Sequence, residues 1–389
     1  MRPVADRHIP CRLERKRTHG CVTVSLSVHL PRHFSSVLAV SIAIGTFASP
    51  AAQAAPDLVL KPVIVRDPAT NNQPAIHLVL PAGWKSEGGV LWRPEMSNVG
   101  TIDLRAWNPV SGESLEIMPI EPFVWRKGGI PNAATGSIYL GSRVMQVIGD
   151  PATFIEELAP QLRPRLRHAA VVQRMALPRA AKAVEASLRD SKRTLRTRAA
   201  RVRFEYREAG AIMHEDVYCA LLFAESRTAP GMLYWSPGRL YSFRARKGHL
   251  HESAPLLHTI LSSLRYDPVW FNRYFRARLF WGQTRLRPVR SPAELTRYLS
   301  LLSDRATPAA SHAYERSVAA DARALRGFGE YVHGLQLFRS PREGREIQLP
   351  AGYRQAWESP AGGYFLSSSP TFTLQDAAGA TWTQLEPVD

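Results

Sequence analysis

The thiol of Cys219 is the first side chain in the sequence that could act as a nucleophile. Cys11 and Cys21 lie in the first 54 residues, a segment expected to be removed on export, so Cys219 would be the only thiol of the mature chain. If residues 213–223 form a strand, His214 and Cys219 point to opposite faces, because side chains alternate along a strand. His214 then cannot activate the thiol, and a lone cysteine in a sheet usually packs as a small apolar side chain. The sequence therefore predicts no thiol catalysis.

Histidines supply the candidates for a metal site. Three of them and a glutamate lie close together in the sequence: His249, His251, Glu252 and His258. Ser253 has the pattern of a helix cap, so His258 would leave on a helix surface, away from the others. Zinc sites need three or four convergent ligands, and we predict no metal site. Motifs for a nucleophilic serine, a phosphate-binding loop or a dinucleotide are absent from the sequence, so no cofactor is predicted.

Carboxylates such as Glu205 and Glu215 are scattered along the chain. Nothing in their spacing places two of them in one cleft. A deep cleft with two carboxylates roughly 5–9 Å apart is the arrangement that glycoside hydrolysis requires. An envelope-directed hydrolase with dispersed acid/base carboxylates therefore stays open as the alternative function.

Positive charge is concentrated in residues 161–203. The chain carries 50 Lys and Arg against 33 Asp and Glu, a formal charge of +17, and this segment holds thirteen of the basic residues and two of the acidic ones. A helix over 180–200 would present a basic face that attracts phosphate or anionic lipid headgroups. The predicted anion-binding residues are Arg189, Lys192, Arg193 and Arg196. The alternative is a solvated helix face without a specific ligand.

Nucleic acid is not an expected partner of this segment. No aromatic residue lies between His168 and Phe204, whereas single-strand binding uses aromatic stacking platforms. Outside the cytoplasm, an anionic envelope component or an acidic protein is the more suitable partner.

A second group combines aromatic rings with arginines. It comprises Trp270, Phe271, Tyr274, Phe275, Phe280 and Trp281, interleaved with Arg273, Arg276, Arg278 and Arg285. This composition is typical of an interfacial amphipathic helix or of a protein interface. The rings also cover one broad helix face, and packing against the rest of the protein is the favoured interpretation.

The first 54 residues resemble an export signal in their pattern. An apolar run of twelve residues, Val37–Ala48, follows basic residues and precedes the small-residue exit Ala52-Gln53-Ala54, which is the pattern of a secretory signal peptide. The run is too short to span a bilayer, which takes about 20 residues. We therefore expect cleavage before Ala55, a periplasmic or secreted product, and no transmembrane segment in the mature chain.

Three regions with different periodicity follow this segment. Residues 55–266 alternate in the manner of strands, with a helix start at Asp150-Pro151 and a helix over 253–264. Residues 267–338 have helical periodicity, with caps at Ser291 and Thr307 and a heptad seam from Tyr314 to Leu335. Residues 339–389 return to strands. The sequence thus predicts an α+β protein: an antiparallel sheet domain with packed helices (55–266), a helical hairpin or three-helix unit (267–338) and a small C-terminal β module (339–389).

Two short motifs resemble known families. The segment Leu78–Lys85, LVLPAGWK, is a strand ending in Pro-x-Gly-Trp-Lys before a hairpin, and it resembles the opening of Mog1/PsbP-like α/β sandwich domains. The segment from Leu349 to Pro370 resembles a terminal module of exported bacterial proteins of unknown function. The first resemblance covers about residues 60–266 and implies a protein that binds partners without catalysis.

The expected function is accordingly a non-catalytic binding or assembly factor in the bacterial cell envelope. Its partner would be a protein or an anionic envelope component, reached through the basic helix.

Overall fold

The computed structural model describes residues 56–388 apart from 189–194, 227, 284–290, 303–304, 306, 343, 373 and 375–380. This part of the chain contains six α-helices and nineteen strands. The sheets are built from antiparallel pairs, with one parallel pair at their margin. The protein therefore has the α+β class that its sequence predicts. The predicted signal peptide, residues 1–54, lies outside the described residues.

Each strand and helix has definite bounds. The strands are β1 (Leu58–Asp67), β2 (Gln73–Pro81), β3 (Lys85–Trp92), β4 (Gly100–Trp107), β5 (Ser114–Ile117), β6 (Phe123–Arg126), β7 (Ile138–Tyr139), β8 (Ser142–Val144), β9 (Ala170–Ala176), β10 (Leu195–Glu208), β11 (Ala211–Glu225), β12 (Met232–Arg246), β13 (Arg265–Tyr266), β14 (Leu335–Arg339), β15 (Glu346–Pro350), β16 (Gln355–Glu358), β17 (Tyr364–Ser367), β18 (Thr383–Gln384) and β19 (Glu386–Pro387). The helices are α1 (Pro151–Leu162), α2 (Pro178–Ser187), α3 (Leu250–Ser263), α4 (Pro268–Gln283), α5 (Pro292–Leu301) and α6 (Pro308–Gly329).

Three sheets organise these strands. The largest has the order β3-β4-β5-β12-β11-β10-β9, with β6, β7 and β8 attached beside β12. The second has the order β13-β2-β1-β17-β16-β18, and the third has the order β15-β14-β19. The long central strands β10, β11 and β12 pair along nearly their whole length, so they form the frame on which the helices pack.

Helices cover both faces of the largest sheet. On one face α1 packs with Phe154 and Ile155 fully buried against Val202 and Val217. On the other face α2, α3, α4 and α6 pack around a second core. Burying one such side chain contributes about 1.5–3 kcal/mol, so each face carries its own hydrophobic core.

Three helix starts have the predicted capping chemistry. The side chains of Asp150, Ser291 and Thr307 each accept a hydrogen bond from the backbone N–H three residues ahead, at 3.1, 3.2 and 3.3 Å. Proline is the first residue of each helix, where its missing N–H costs nothing. These predictions are confirmed.

Two predictions about helix ends are wrong. α3 begins at Leu250, so Ser253 lies inside the helix and does not cap it. Its hydroxyl instead donates to Glu113 Oε1 at 2.5 Å. α6 ends at Gly329, so Leu335 belongs to β14 and the predicted heptad seam stops before it.

The predicted basic helix over 180–200 is also wrong for residues 195–200, which form a strand. α2 ends at Ser187 and β10 begins at Leu195. Arg189, Lys192 and Arg193 lie outside the described residues. β10 pairs with β11 along its whole length and buries Ala199, Ala200 and Val202, and this pairing outweighs the helix propensity of Ala and Arg. Arg196 is therefore a strand residue.

A strand pair crosses the predicted boundary near residue 338. β1 pairs with β17, and the predicted C-terminal β module, 339–389, thus contributes strands to the sheet that contains β1 and β2. Three helices, α4, α5 and α6, occupy the region 267–338, which was predicted as a helical hairpin or a three-helix unit.

Candidate ligand-binding site

Three aromatic rings stack in a row at the start of α4. Trp270 and Tyr274 are four residues apart on α4, and this spacing puts their side chains above one another. Tyr266 of β13, just before the helix, stacks on the other side of Trp270. The ring centroids of each neighbouring pair are 5.5 Å apart, with interplanar angles of 14° and 11°. Burial raises the pKa of both tyrosines, so their hydroxyls stay neutral. We call this row the aromatic ladder.

The carboxylate of Asp67 holds the ladder in position. Its Oδ2 accepts hydrogen bonds from the indole N–H of Trp270 at 2.7 Å and of Trp92 at 2.9 Å. Trp92 in turn packs against Trp270 and Tyr274, with centroids 5.8 and 6.2 Å away. Asp67 is buried, and a buried, fully satisfied polar network makes its surroundings rigid. The ladder is therefore held rigidly, with the buried Trp270 between two partly exposed tyrosines.

The ladder forms one wall of a cavity of about 650 Å³, which we call the outer chamber. The facing wall comes from Ala313, Ser317 and Ala320 of α6. Because these side chains are short, α6 leaves space above the rings instead of filling it. The volume falls in the usual range of small-molecule sites, about 300–1,000 Å³.

A smaller space of about 190 Å³, the inner chamber, continues from the outer one toward β12. The two chambers share seven lining residues, among them the ladder tyrosines: Gly100, Thr101, Ile102, Tyr266, Tyr274, Ser317 and Asp321. Arg239 of β12 lines the inner chamber but not the outer one, and it forms an ion pair with Asp321. A molecule on the ladder could thus extend inward past Asp321.

Three arginines stand at the outer chamber. Arg278 of α4 and Arg316 and Arg323 of α6 line it, and all three are exposed. None of them forms an ion pair with a described residue, and Asp321, which is paired with Arg239, is the acidic residue of the lining. The rim is therefore positively charged above an aromatic interior.

Arg196, the described member of the predicted anion-binding set, lies elsewhere. It lines a separate pocket of about 480 Å³ together with Arg198, Phe223 and Glu225. Arg196 and Arg198 are exposed on the same face of β10, and Arg198 donates to the Gly149 carbonyl at 2.9 Å. The basic neighbour of Arg196 in this pocket is therefore Arg198, two residues further along β10.

The carboxylates of Glu116 and Glu215 lie close together beside another cavity, of about 590 Å³. Arg165 Nη2 lies 2.8 Å from Oε1 of Glu116 and 2.8 Å from Oε1 of Glu215, so those oxygens are no farther apart than twice that distance. Arg163 and Arg105 also form ion pairs with Glu116, and Tyr206 donates to Glu215 at 2.8 Å.

This carboxylate pair is unsuited to donate a proton. Glu116 and Glu215 are 2 % and 0 % exposed. Burial alone would raise the pKa of Glu116, but the charges of Arg165 and Arg163 outweigh it and lower the pKa. A general acid needs a raised pKa, whereas Glu116 is held ionised by arginines.

The side chains considered for thiol or metal chemistry are buried or bonded to other side chains of the protein. Cys219 is fully buried, and burial raises the pKa of its thiol. His214 alternates to the other face of β11 and pairs with Glu205 at 2.9 Å. His258 is buried and bonded to Gln348, while His249 contacts Glu252. Among the described residues, no three His, Cys, Asp or Glu side chains converge as a metal site.

Sequence reasoning found part of the site. It predicted that the aromatic residues of α4 pack inward, and Trp270, Phe271 and Trp281 are buried. It missed the cavity, because Ala313, Ser317 and Ala320 of α6 form no recognisable sequence motif, and only the tertiary structure shows that they line it. It also missed Asp67, whose indole partners are 25 and 203 residues away in the chain.

Comparison with known proteins adds no family assignment. The sequence matches no protein-family model and no curated protein. The resemblance to Mog1/PsbP-like domains therefore stays an expectation. No helix in the described ranges is long and apolar enough to cross a membrane.

Proposed function

We propose that the protein is an exported, non-catalytic binding protein of the cell envelope whose outer chamber holds an anionic amphiphile. The observation that carries this proposal is the pairing of a preformed aromatic wall with three exposed arginines around one cavity. The apolar body of the ligand lies on the ladder, and its acid group lies against the arginines.

The chemistry of the two parts supports this class of ligand. Apolar surface removed from water contributes about 25 cal/mol per Å², so a chain or ring on the ladder gains affinity without directional bonds. Guanidinium groups bind carboxylate and phosphate through charge-assisted hydrogen bonds. A cation would be repelled by the arginines, and a wholly polar molecule would lose hydration against the aromatic wall.

Binding is favoured over hydrolysis by the state of the carboxylate pair. Glu116 and Glu215 lie close together, yet both are buried and form ion pairs with Arg165. The alternative hydrolase would need one of them as a proton donor. Their surroundings instead support a structural role in joining β5, β11 and the segment after α1.

Filling the outer chamber tests the proposal. We expect dodecanoate to bind the wild-type protein in calorimetry and to lose most of its affinity for Ala320→Trp, whose indole would occupy the space above the ladder. Ala319→Trp is the matched control, since Ala319 is exposed one residue earlier on α6 and should bind as the wild type does. Equal affinity of all three proteins, or no binding at all, would overturn the proposal.

The rim arginines have a separate test. Replacing Arg278, Arg316 and Arg323 by Gln should weaken dodecanoate binding about tenfold or more, equivalent to about 1.4 kcal/mol, and should reduce its dependence on salt. Arg207→Gln, at an exposed position near the end of β10, should change neither. Unchanged affinity of the triple variant would contradict the role of the rim.

A further inference from the structure

We infer that the inner chamber receives an uncharged polar group at the far end of the ligand. The natural ligand is then an amphiphile with an acid at one end and a hydroxyl or carbonyl at the other. This inference rests on the proposed function, because it names the class of molecule that the same cavity selects.

The inner chamber is enclosed mainly by core side chains. Ile102, Leu261 and Leu325 belong to the main hydrophobic core, and Ile117 packs against it. These side chains would contact an apolar part of a ligand. Polar atoms nevertheless contribute more of the chamber's surface than apolar atoms do.

The ion pair between Arg239 and Asp321 provides part of this polar surface. It joins β12 to α6, and the two side chains are 23 % and 30 % exposed, although both line the inner chamber. A guanidinium carries five N–H donors and a carboxylate has several acceptor positions. The contact between Nη2 and Oδ1 uses only part of this capacity, and the rest is available to a ligand.

The pair selects a neutral group over a second charge. Arg239 and Asp321 cancel one another, so a second carboxylate gains no net attraction and loses part of its hydration on entering the chamber. A hydroxyl can accept from the guanidinium and donate to the carboxylate at once. Thr101 lies beside this position: its Oγ1 accepts from Ile120 N at 3.0 Å, which leaves the hydroxyl hydrogen for donation.

The position of Asp321 orders the ligand along the cavity. Asp321 lines both chambers, whereas Arg239 lines only the inner one and the rim arginines line only the outer one. The acid and the neutral group therefore lie at opposite ends of the ligand, whose apolar part lies beside Tyr266 and Tyr274, which line both chambers. Branched or short acids cannot reach both.

Calorimetry with dodecanoate, ω-hydroxydodecanoate and dodecanedioate tests the inference. The wild type should bind the hydroxy acid at least tenfold more tightly than the other two. The double variant Arg239→Met/Asp321→Leu should bind dodecanoate and the hydroxy acid equally. Its matched control is Arg326→Met/Glu346→Leu, which removes another ion pair of α6, 2.9 Å long, away from the cavity and should keep the preference.

Asp321→Asn provides an independent result if the double variant does not fold. With its partner neutral, Arg239 should now favour dodecanedioate over the hydroxy acid. If the wild type shows no preference among the three acids, or if Asp321→Asn keeps the wild-type order, the inference is overturned. In either case dodecanoate binding that Ala320→Trp abolishes would leave the proposed function standing, whereas failure of all three acids to bind would remove both.

Discussion

Buried charged side chains in this protein are satisfied by partners from distant parts of the chain. Asp67 accepts from two indoles, and Glu116 is held by Arg163, 47 residues away. Caps such as Asp150 can be predicted because donor and acceptor are three residues apart. The partners of Asp67 and Glu116 cannot, because only the tertiary fold brings them together.

His258 makes stability depend on pH. It is fully buried in α3, its ring contacts Gln348 at 3.0 Å, and burial lowers its pKa from 6.5 to about 4. As pH falls from about 6.5 to about 4, His258 becomes protonated in the unfolded chain but stays neutral in the native protein. Stability is therefore complete above about pH 6.5 and declines toward pH 4, by on the order of 3 kcal/mol.

Urea unfolding at about pH 7 and about pH 4.5 measures this effect. The loss of unfolding free energy on acidification should be smaller in His258→Gln than in the wild type. His312→Gln, at an exposed position of α6, should keep the wild-type loss. Equal losses in all three proteins would show that His258 does not titrate as its burial requires.

Gly327 allows α2 and α6 to approach closely. A Cβ at this position would overlap Cβ of Ala183 and lie 3.3 Å from Cα of Ala180. Gly327→Ala should therefore lower the unfolding free energy by about 1–3 kcal/mol, the usual cost of overpacking. Gly149→Ala, where the nearest atom is 3.7 Å away, should cost much less. Similar values for the two variants in denaturant unfolding would contradict the close contact.

At the scale of elements, the sequence predicts a segment well when its own periodicity decides its structure. The helical periods after residue 290 and the alternation of residues 201–207 were both correct. Residues 195–200 were predicted as helix because Arg and Ala favour helices. They became strand because β11 supplies a partner for every residue of β10.

The basic segment keeps a testable role in this corrected form. Replacing Arg189, Lys192, Arg193 and Arg196 by Gln should weaken binding to vesicles of anionic phospholipid at about 0.15 M salt, where exposed charges are screened beyond about 8 Å. Replacing Arg196 and Arg198 alone should reproduce much of the loss, since both line one pocket. Vesicle sedimentation measures both. Wild-type binding by the quadruple variant would identify a solvated surface.

At the scale of the molecule, the C-terminal strands complete the sheet that the first strands begin. β17 pairs with β1, and Leu366 and Leu349 are fully buried in a core that includes Leu60. The sequence predicted the strand character of residues 339–389 but treated them as a separate module. Long-range strand pairing leaves no local signal, so the separation could not be corrected from the sequence.

Removal of residues 340–389 should therefore destabilise the remaining chain broadly. It would uncover one edge of β1 and the buried face of Leu60. We expect thermal unfolding followed by circular dichroism to lose its cooperative transition or to shift to a much lower temperature. A shortened protein that melts cooperatively near the full-length temperature would show that the C-terminal strands form an independent module.

The central claim is that an anionic amphiphile lies on the aromatic ladder with its acid group at the rim arginines. The most direct measurement is a crystal structure of the protein grown with dodecanoate. The account predicts density for the chain along Tyr266, Trp270 and Tyr274, with the carboxylate within hydrogen-bond distance of Arg278, Arg316 or Arg323. An empty outer chamber at saturating dodecanoate, or density for the acid at another site only, would contradict it.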